Sequence, residues 1–291
     1  MSATAIVLIV VAAFAHAGWN LSAKRAGAGG VVFVWLYMAL TMVLMVPIAV
    51  VDVLVSGQQP AWAWLPALAG SGLLQVGYFV LLQRGYAVGD MSVVYPLARG
   101  TGPMLSVLLA IVLLHERPGV LALVGALAVV AGVFVIGTAH GDDQGQQAGA
   151  FRRAGLRYGI ATGITIAAYT LWDANAVTAL RVPPLVQLGG SVVVQVAVLT
   201  PFVLHRRAEI GAAWRAHGWD AGVIAVLSPL AYGLVLFALR IAPVALVAPA
   251  RELSIVIGSV IAWRVLHEPR PLRRLTGAAI VLAGVFALAV A

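Results

Sequence analysis

The chain has 291 residues, 62% of them hydrophobic and 10% charged, with a mean hydropathy of +1.02. A soluble domain carries about 25% charged residues, so this composition cannot build a water-facing surface, and the same scarcity of charge excludes intrinsic disorder. The net charge of +8 and the pI near 10.6 fit basic loops beside a membrane rather than a nucleic-acid surface, and the lack of cysteine excludes disulfides, thiol chemistry and cysteine-ligated metals.

A hydrocarbon core about 30 Å thick needs about 20 apolar residues per helix. Ten runs meet that need: 4–23, 31–55, 61–83, 91–114, 119–139, 155–178, 183–204, 219–239, 243–266 and 272–291. Most breaks are short and turn-like: Lys24–Gly30, Ser56–Pro60, Gly89-Asp90, Glu116–Gly119, Pro183-Pro184 and Pro269–Pro271. The exception is the polar stretch 140–153, HGDDQGQQAGAFRR, which reads as a linker between a first unit, 1–139, and a second, 154–291. In the first run Ala15-His16-Ala17 imitates a cleavage site. Lys24-Arg25 follow that run and nothing basic precedes it, the reverse of a signal peptide, so a retained helix is expected.

The two units align with each other at an offset of 152. Ala98-Arg99 falls on Ala250-Arg251, His115-Glu116 on His267-Glu268, Gly125-Ala126 on Gly277-Ala278, and Ala131–Phe134 on Ala283–Phe286. Shared hydrophobicity alone would not align charged and aromatic positions. An offset of 153 pairs His16 with Tyr169 and Trp19-Asn20 with Trp172-Asp173. Five spans per half is an odd number, so the second half must sit upside down relative to the first, an arrangement typical of secondary transporters. The expected fold is an all-α integral membrane protein of ten transmembrane helices, built as two inverted five-helix repeats.

The strings FAHAGWNLSAKRAG, LLQRGYAVGDMSVVYPLARGTGP, AYTLWDANAV and FALRIAPVALVAPARELSIVIGS, the last followed by a His-Glu span end, resemble EamA-type transporters of the drug/metabolite transporter superfamily. The resemblance runs through both repeats and implies ten helices and movement of small metabolites. The family's substrates range too widely for it to name one.

Basic residues are sorted among the loops. Lys24, Arg25, Arg84, Arg152, Arg153, Arg157, Arg206, Arg207, Arg215, Arg264, Arg270, Arg273 and Arg274 fall on one side, and Arg117, Arg181 and Arg240 on the other. The positive-inside rule then puts both termini outside the cytoplasm, opposite to the topology ascribed to many members of the resembled superfamily. A multi-pass protein of the cytoplasmic membrane is expected.

Charge at the centre of a bilayer costs about 2.5–3.5 kcal/mol per residue on the insertion scale. Arg99, Asp173, Arg251 and Glu252 carry that cost, and Arg99 lies about 12 Å into its run at 1.5 Å per residue. Arg99 and Arg251 offer forked donors to a carboxylate or other oxyanion. Asp173 and Glu252 are candidates for proton or ion coupling, or for pairing with an amine; the competing reading is a buried network in which two positive and two negative groups cancel. Helical spacing adds His16, Trp19 and Asn20 on one face, Tyr169 and Trp172 on the repeat-related face, Tyr95 beside Arg99, and Gln75 with Tyr78. Such polar-tipped aromatics suit a site for small organic molecules. Pro96, Pro103, Pro229 and Pro249 free backbone carbonyls nearby.

Gly125, Gly132, Gly277 and Gly284 let helices approach closely, either between the halves or in a homodimer. His115-Glu116 and His267-Glu268 lack the second histidine of a zinc motif and read as caps at span ends. Gly27–Gly30, Gly70-Ser71-Gly72 and Gly100-Thr101-Gly102 follow no strand, so none is a nucleotide fingerprint. With no Walker sequence, no cofactor is expected, and gradients would drive transport. The expected function is secondary active transport of a small polar metabolite, an organic anion or a zwitterion such as an amino acid. The alternatives are a membrane-embedded lipid-modifying enzyme and a non-transporting receptor.

Overall fold

The computed structural model describes residues 1–26, 30–88, 91–137, 148–266 and 271–291. The Gly89-Asp90 turn, the His267-Glu268 pair, most of the Gly27–Gly30 fragment and most of the 140–153 stretch lie outside them. The described residues form eleven helices and no strand: α1 (Ala3–Arg25), α2 (Gly30–Ser56), α3 (Trp64–Val88), α4 (Met91–Leu113), α5 (Val120–Gly137), α6 (Ala148–Thr178), α7 (Pro184–Leu204), α8 (Arg207–Leu239), α9 (Val244–Ala250), α10 (Leu253–Leu266) and α11 (Pro271–Val290). In lipid only a helix satisfies its own backbone polar groups within one segment, and six of these are long and apolar enough to cross a membrane. The outer surface is apolar: Leu54, Val55, Phe202 and Phe286 are exposed. The interior is filled mainly by small and β-branched residues such as Ala110, Val129, Ala167 and Val247, which lets helix axes come close.

Boundaries follow local chemistry. Gly57, at φ +64°, takes the left-handed position just after α2 that a residue without Cβ adopts at no steric cost. Pro184 opens α7, where its missing N–H is not needed. Three elements differ from the apolar runs, the first being α6, which starts at Ala148, inside the 140–153 stretch read as a linker. The α8 helix starts at Arg207, well before the run at 219, and bends at His217 (φ −135°, ψ 17°); the segment Arg207–Ala216 is rich in helix formers but too polar to read as a span. The run 243–266 is one span in sequence but two helices in the structure, interrupted at Arg251-Glu252.

That interruption has a clear origin. Pro249 has no N–H to give the Ala245 carbonyl. The following turns tighten to three-residue hydrogen bonds, from Glu252 N to Pro249 O (3.0 Å), Ser254 N to Arg251 O (3.2 Å) and Ile255 N to Glu252 O (2.9 Å). The break therefore sits where two charged side chains enter the protein interior.

Helices of the first half pack on helices of the second: α1 on α8, α2 on α7, α3 on α6, α4 on α6 and α5 on α11. The α5–α11 contact is made by glycine. A Cβ on Gly125 would lie 2.9 Å from the Gly284 carbonyl oxygen, and one on Gly132 would lie 2.7 Å from that of Gly277. The four glycines singled out in the sequence thus bring two backbones of one chain together. At the start of α9, the Glu116 carboxylate accepts from the backbone N–H of Val244 (2.7 Å) and Ala245 (2.9 Å), so it caps a helix of the other half.

Candidate functional site

Five helices, α1, α4, α6, α9 and α10, bring the intramembrane charges together. Arg99, on α4, places Nε 3.2 Å from Glu252 Oε2. The two meet as opposite charges without hydrogen-bond alignment. The Nη2 of Arg99 donates to Ser254 Oγ (3.2 Å) and contacts His16 Nε2 at 3.3 Å. An arginine can only donate, so His16 accepts through Nε2 and carries its proton on Nδ1. Arg99 is thereby tied to α1 and to the start of α10.

Arg251, which closes α9, has lighter ties. Its Nη1 lies 3.4 Å from Thr170 Oγ1, and its guanidinium carbon is 5.4 Å from the centre of the Tyr232 ring, within cation–π range. Among the described residues no carboxylate lies within ion-pair distance of it.

Asp173 is fully buried on α6, and neutral donors surround it. Gln187 donates to Oδ1 at 2.8 Å; the Tyr232 hydroxyl donates to Oδ2, and Gln75 reaches the same oxygen at 3.5 Å. Gln75 also donates to Ser71 (2.9 Å) and accepts from Gln195 (3.1 Å). A carboxylate can be buried when its lone pairs are filled in this way.

These networks border a cavity of about 110 Å³, room for a small solute or several waters. Of the residues singled out in the sequence, His16, Trp19, Gln75, Tyr78, Arg99, Tyr169 and Arg251 line it. Asp173 and Glu252 do not: Asp173 lies behind Tyr232 and Gln75, and Glu252 behind Arg99. Asn20 bonds back to the His16 carbonyl of its own helix (2.8 Å). Trp172 points away, 42% exposed, packs over Gly70 and donates to the Ala67 carbonyl (2.8 Å). Tyr95 is half-buried one turn before Arg99, outside the cavity wall.

Sequence reasoning missed Tyr232, Gln195, Ser191, Tyr37 and Thr41 in the wall, and Gln187 behind it. One signal for them was present. Gln187, Ser191 and Gln195 recur every four residues in an apolar run and share one face of α7, and all three are buried. Among the described residues no group of three or more histidine, aspartate or glutamate side chains is placed to hold a metal ion.

An apolar outer surface, six long apolar helices and a polar cavity deep in the helical core define a multi-pass membrane protein built around an internal site. The sequence matches the EamA-like transporter family twice, over residues 3–138 and 153–290, and the chain belongs to that family. It is thus a membrane transporter of the drug/metabolite transporter superfamily, whose EamA members are transporters and not enzymes. No curated protein gives a significant match. One solved crystal structure, described simply as that of a protein, aligns with 100% of this chain and 98% of its own at 18% identity and a TM-score of 0.76, which is a likeness of fold.

Proposed function

We propose that the chain is a secondary active carrier of a small polar metabolite, an organic anion or a zwitterion, working by alternating access in the cytoplasmic membrane. The observation that carries this reading is the cavity between the halves with both intramembrane arginines in its wall. Ten spans arranged as two inverted repeats complete the proposal, with α9 and α10 forming one interrupted span. The helix contacts support it. Exchanging the halves turns α1–α8 into α6–α3 and α4–α6 into α10–α1, and maps α2–α7 and α5–α11 onto themselves; all of these contacts are present. The glycine contacts behave alike, since Gly125–Gly284 becomes Gly277–Gly132. Those two contacts run antiparallel, and a two-fold axis that swaps antiparallel neighbours lies across the helices, in the membrane plane.

Orientation follows the arginine distribution, with both termini outside the cytoplasm. Coupling is assigned to protonation of Asp173, which faces Gln75, Gln187 and Tyr232, or of Glu252, which faces Arg99. The test is counterflow of labelled metabolites into proteoliposomes with and without a pH gradient. Flux that disappears in Arg251→Ala is the expected result. Binding without flux would make the chain a receptor, and gradient-driven transport unchanged in Asp173→Asn and Glu252→Gln would remove the coupling role.

A further inference from the structure

The charges at the cavity are unevenly placed. Arg99 and Arg251 are in its wall, while no carboxylate among the described residues is. Arg99 is held at 3.2 Å by Glu252, so its charge is balanced from behind. Arg251 has a hydroxyl at 3.4 Å and an aromatic face for neighbours, neither of which neutralises it. Its fork is the cavity charge with no carboxylate within ion-pair distance among the described residues; Glu252, its chain neighbour, and Asp173, behind Tyr232, act on it only at longer range. Elsewhere the wall offers neutral donors and acceptors, including Gln75, Gln195 and Ser191.

We infer that the substrate is an organic monoanion whose neighbouring substituents are uncharged, such as a 2-hydroxy or 2-oxo acid, and that amino acids are discriminated against. The inference rests on the carrier reading above and narrows its substrate class. A carboxylate on Arg251 gains a forked, charge-assisted contact. The α-ammonium of an amino acid is covalently held beside its carboxylate. It cannot move away from Arg251, it meets no carboxylate in the wall, and on entering it would surrender water without a partner. A hydroxyl or carbonyl at the same carbon is served by the amides and hydroxyls already present. Specificity arises here from a missing group, the acidic residue that an ammonium would need.

The experiment compares acids that differ only at that carbon: lactate with alanine, 2-hydroxyisovalerate with valine, and phenyllactate with phenylalanine. Binding to the purified full chain is read by titration calorimetry, and flux by counterflow in proteoliposomes. At least one hydroxy acid is expected to bind about tenfold or more tightly than its amino partner, and Arg251→Gln is expected to abolish that preference. Equal or tighter binding of the amino acids overturns the inference, for instance if the aromatic wall cages the ammonium. So does a series in which no acid binds. The wild-type comparison stands alone if Arg251→Gln does not fold. A hydroxy acid that binds without counterflow would sink the carrier reading and leave the charge rule standing; counterflow of an amino acid in preference would do the reverse.

Discussion

Arg99 and Arg251 occupy equivalent places in the two halves, yet one is paired and the other open. Counting back 152 residues from Glu252, the partner of Arg99, leads to Gly100. The carboxylate that would neutralise Arg251 by symmetry is therefore absent from the sequence. Its space is taken: a Cβ on Gly100 would lie 2.6 Å from the Phe134 ring. The backbone differs as well, since α4 runs unbroken through Arg99 while α9 stops just before Arg251. A duplicated scaffold thus carries one arginine that fastens helices together and one that, in the carrier proposed above, is left to meet the ligand.

The largest expected effect tests the fastened side. Glu252→Ala leaves Arg99 buried without its carboxylate, and breaking a buried pair in this way costs about 3–5 kcal/mol. Arg251→Gln breaks no ion pair among the described residues and is expected to lower the unfolding temperature in detergent much less. If the two variants melt together, the two arginines are structurally equivalent and the comparison fails.

This asymmetry was half legible in the sequence. The apolar runs located the helices, six of which are long and apolar enough to cross a membrane, because a bilayer demands length and hydrophobicity and little else. The four charged residues could be found because charge is rare in such runs. Pro249 marked the strain that becomes the α9–α10 break. Which carboxylate would meet which arginine could not be read, since Arg99 and Glu252 are 153 positions apart and meet only when α4 packs beside α9. Neutral groups were overlooked for a different reason. Gln187, Gln195 and Tyr232 cost less to bury than charge and attract less notice, although they hold Asp173 and shape the wall.

A middle-sized effect tests what supports the open arginine. Tyr232→Ala removes both the ring beside Arg251 and a donor to Asp173. A cation–π contact is worth about 0.5–2 kcal/mol, so hydroxy-acid binding is expected to weaken by a few-fold to about thirtyfold. Tyr232→Phe keeps the ring and is expected to bind nearly as the wild type, while losing about 1–3 kcal/mol of stability to the under-satisfied Asp173. Equal binding losses in both variants would transfer the role from the ring to the hydroxyl.

The smallest effect concerns the clasp on α9. Glu116 holds the first two N–H groups of the seven-residue helix that Arg251 caps. Glu116→Gln keeps an acceptor but removes the negative charge facing the positive end of the helix dipole, a change of about 0.3–1 kcal/mol. Because the substitution changes only a side chain that meets the backbone of α9, the contacts of Arg99 with His16 and Ser254 should survive. The open arginine alone should lose order, so anion affinity is expected to fall modestly while the unfolding temperature barely moves. A fall in stability as large as that of Glu252→Ala would mean that the clasp holds the two halves together, and that Arg251 owes its freedom to the missing carboxylate rather than to the short helix that carries it.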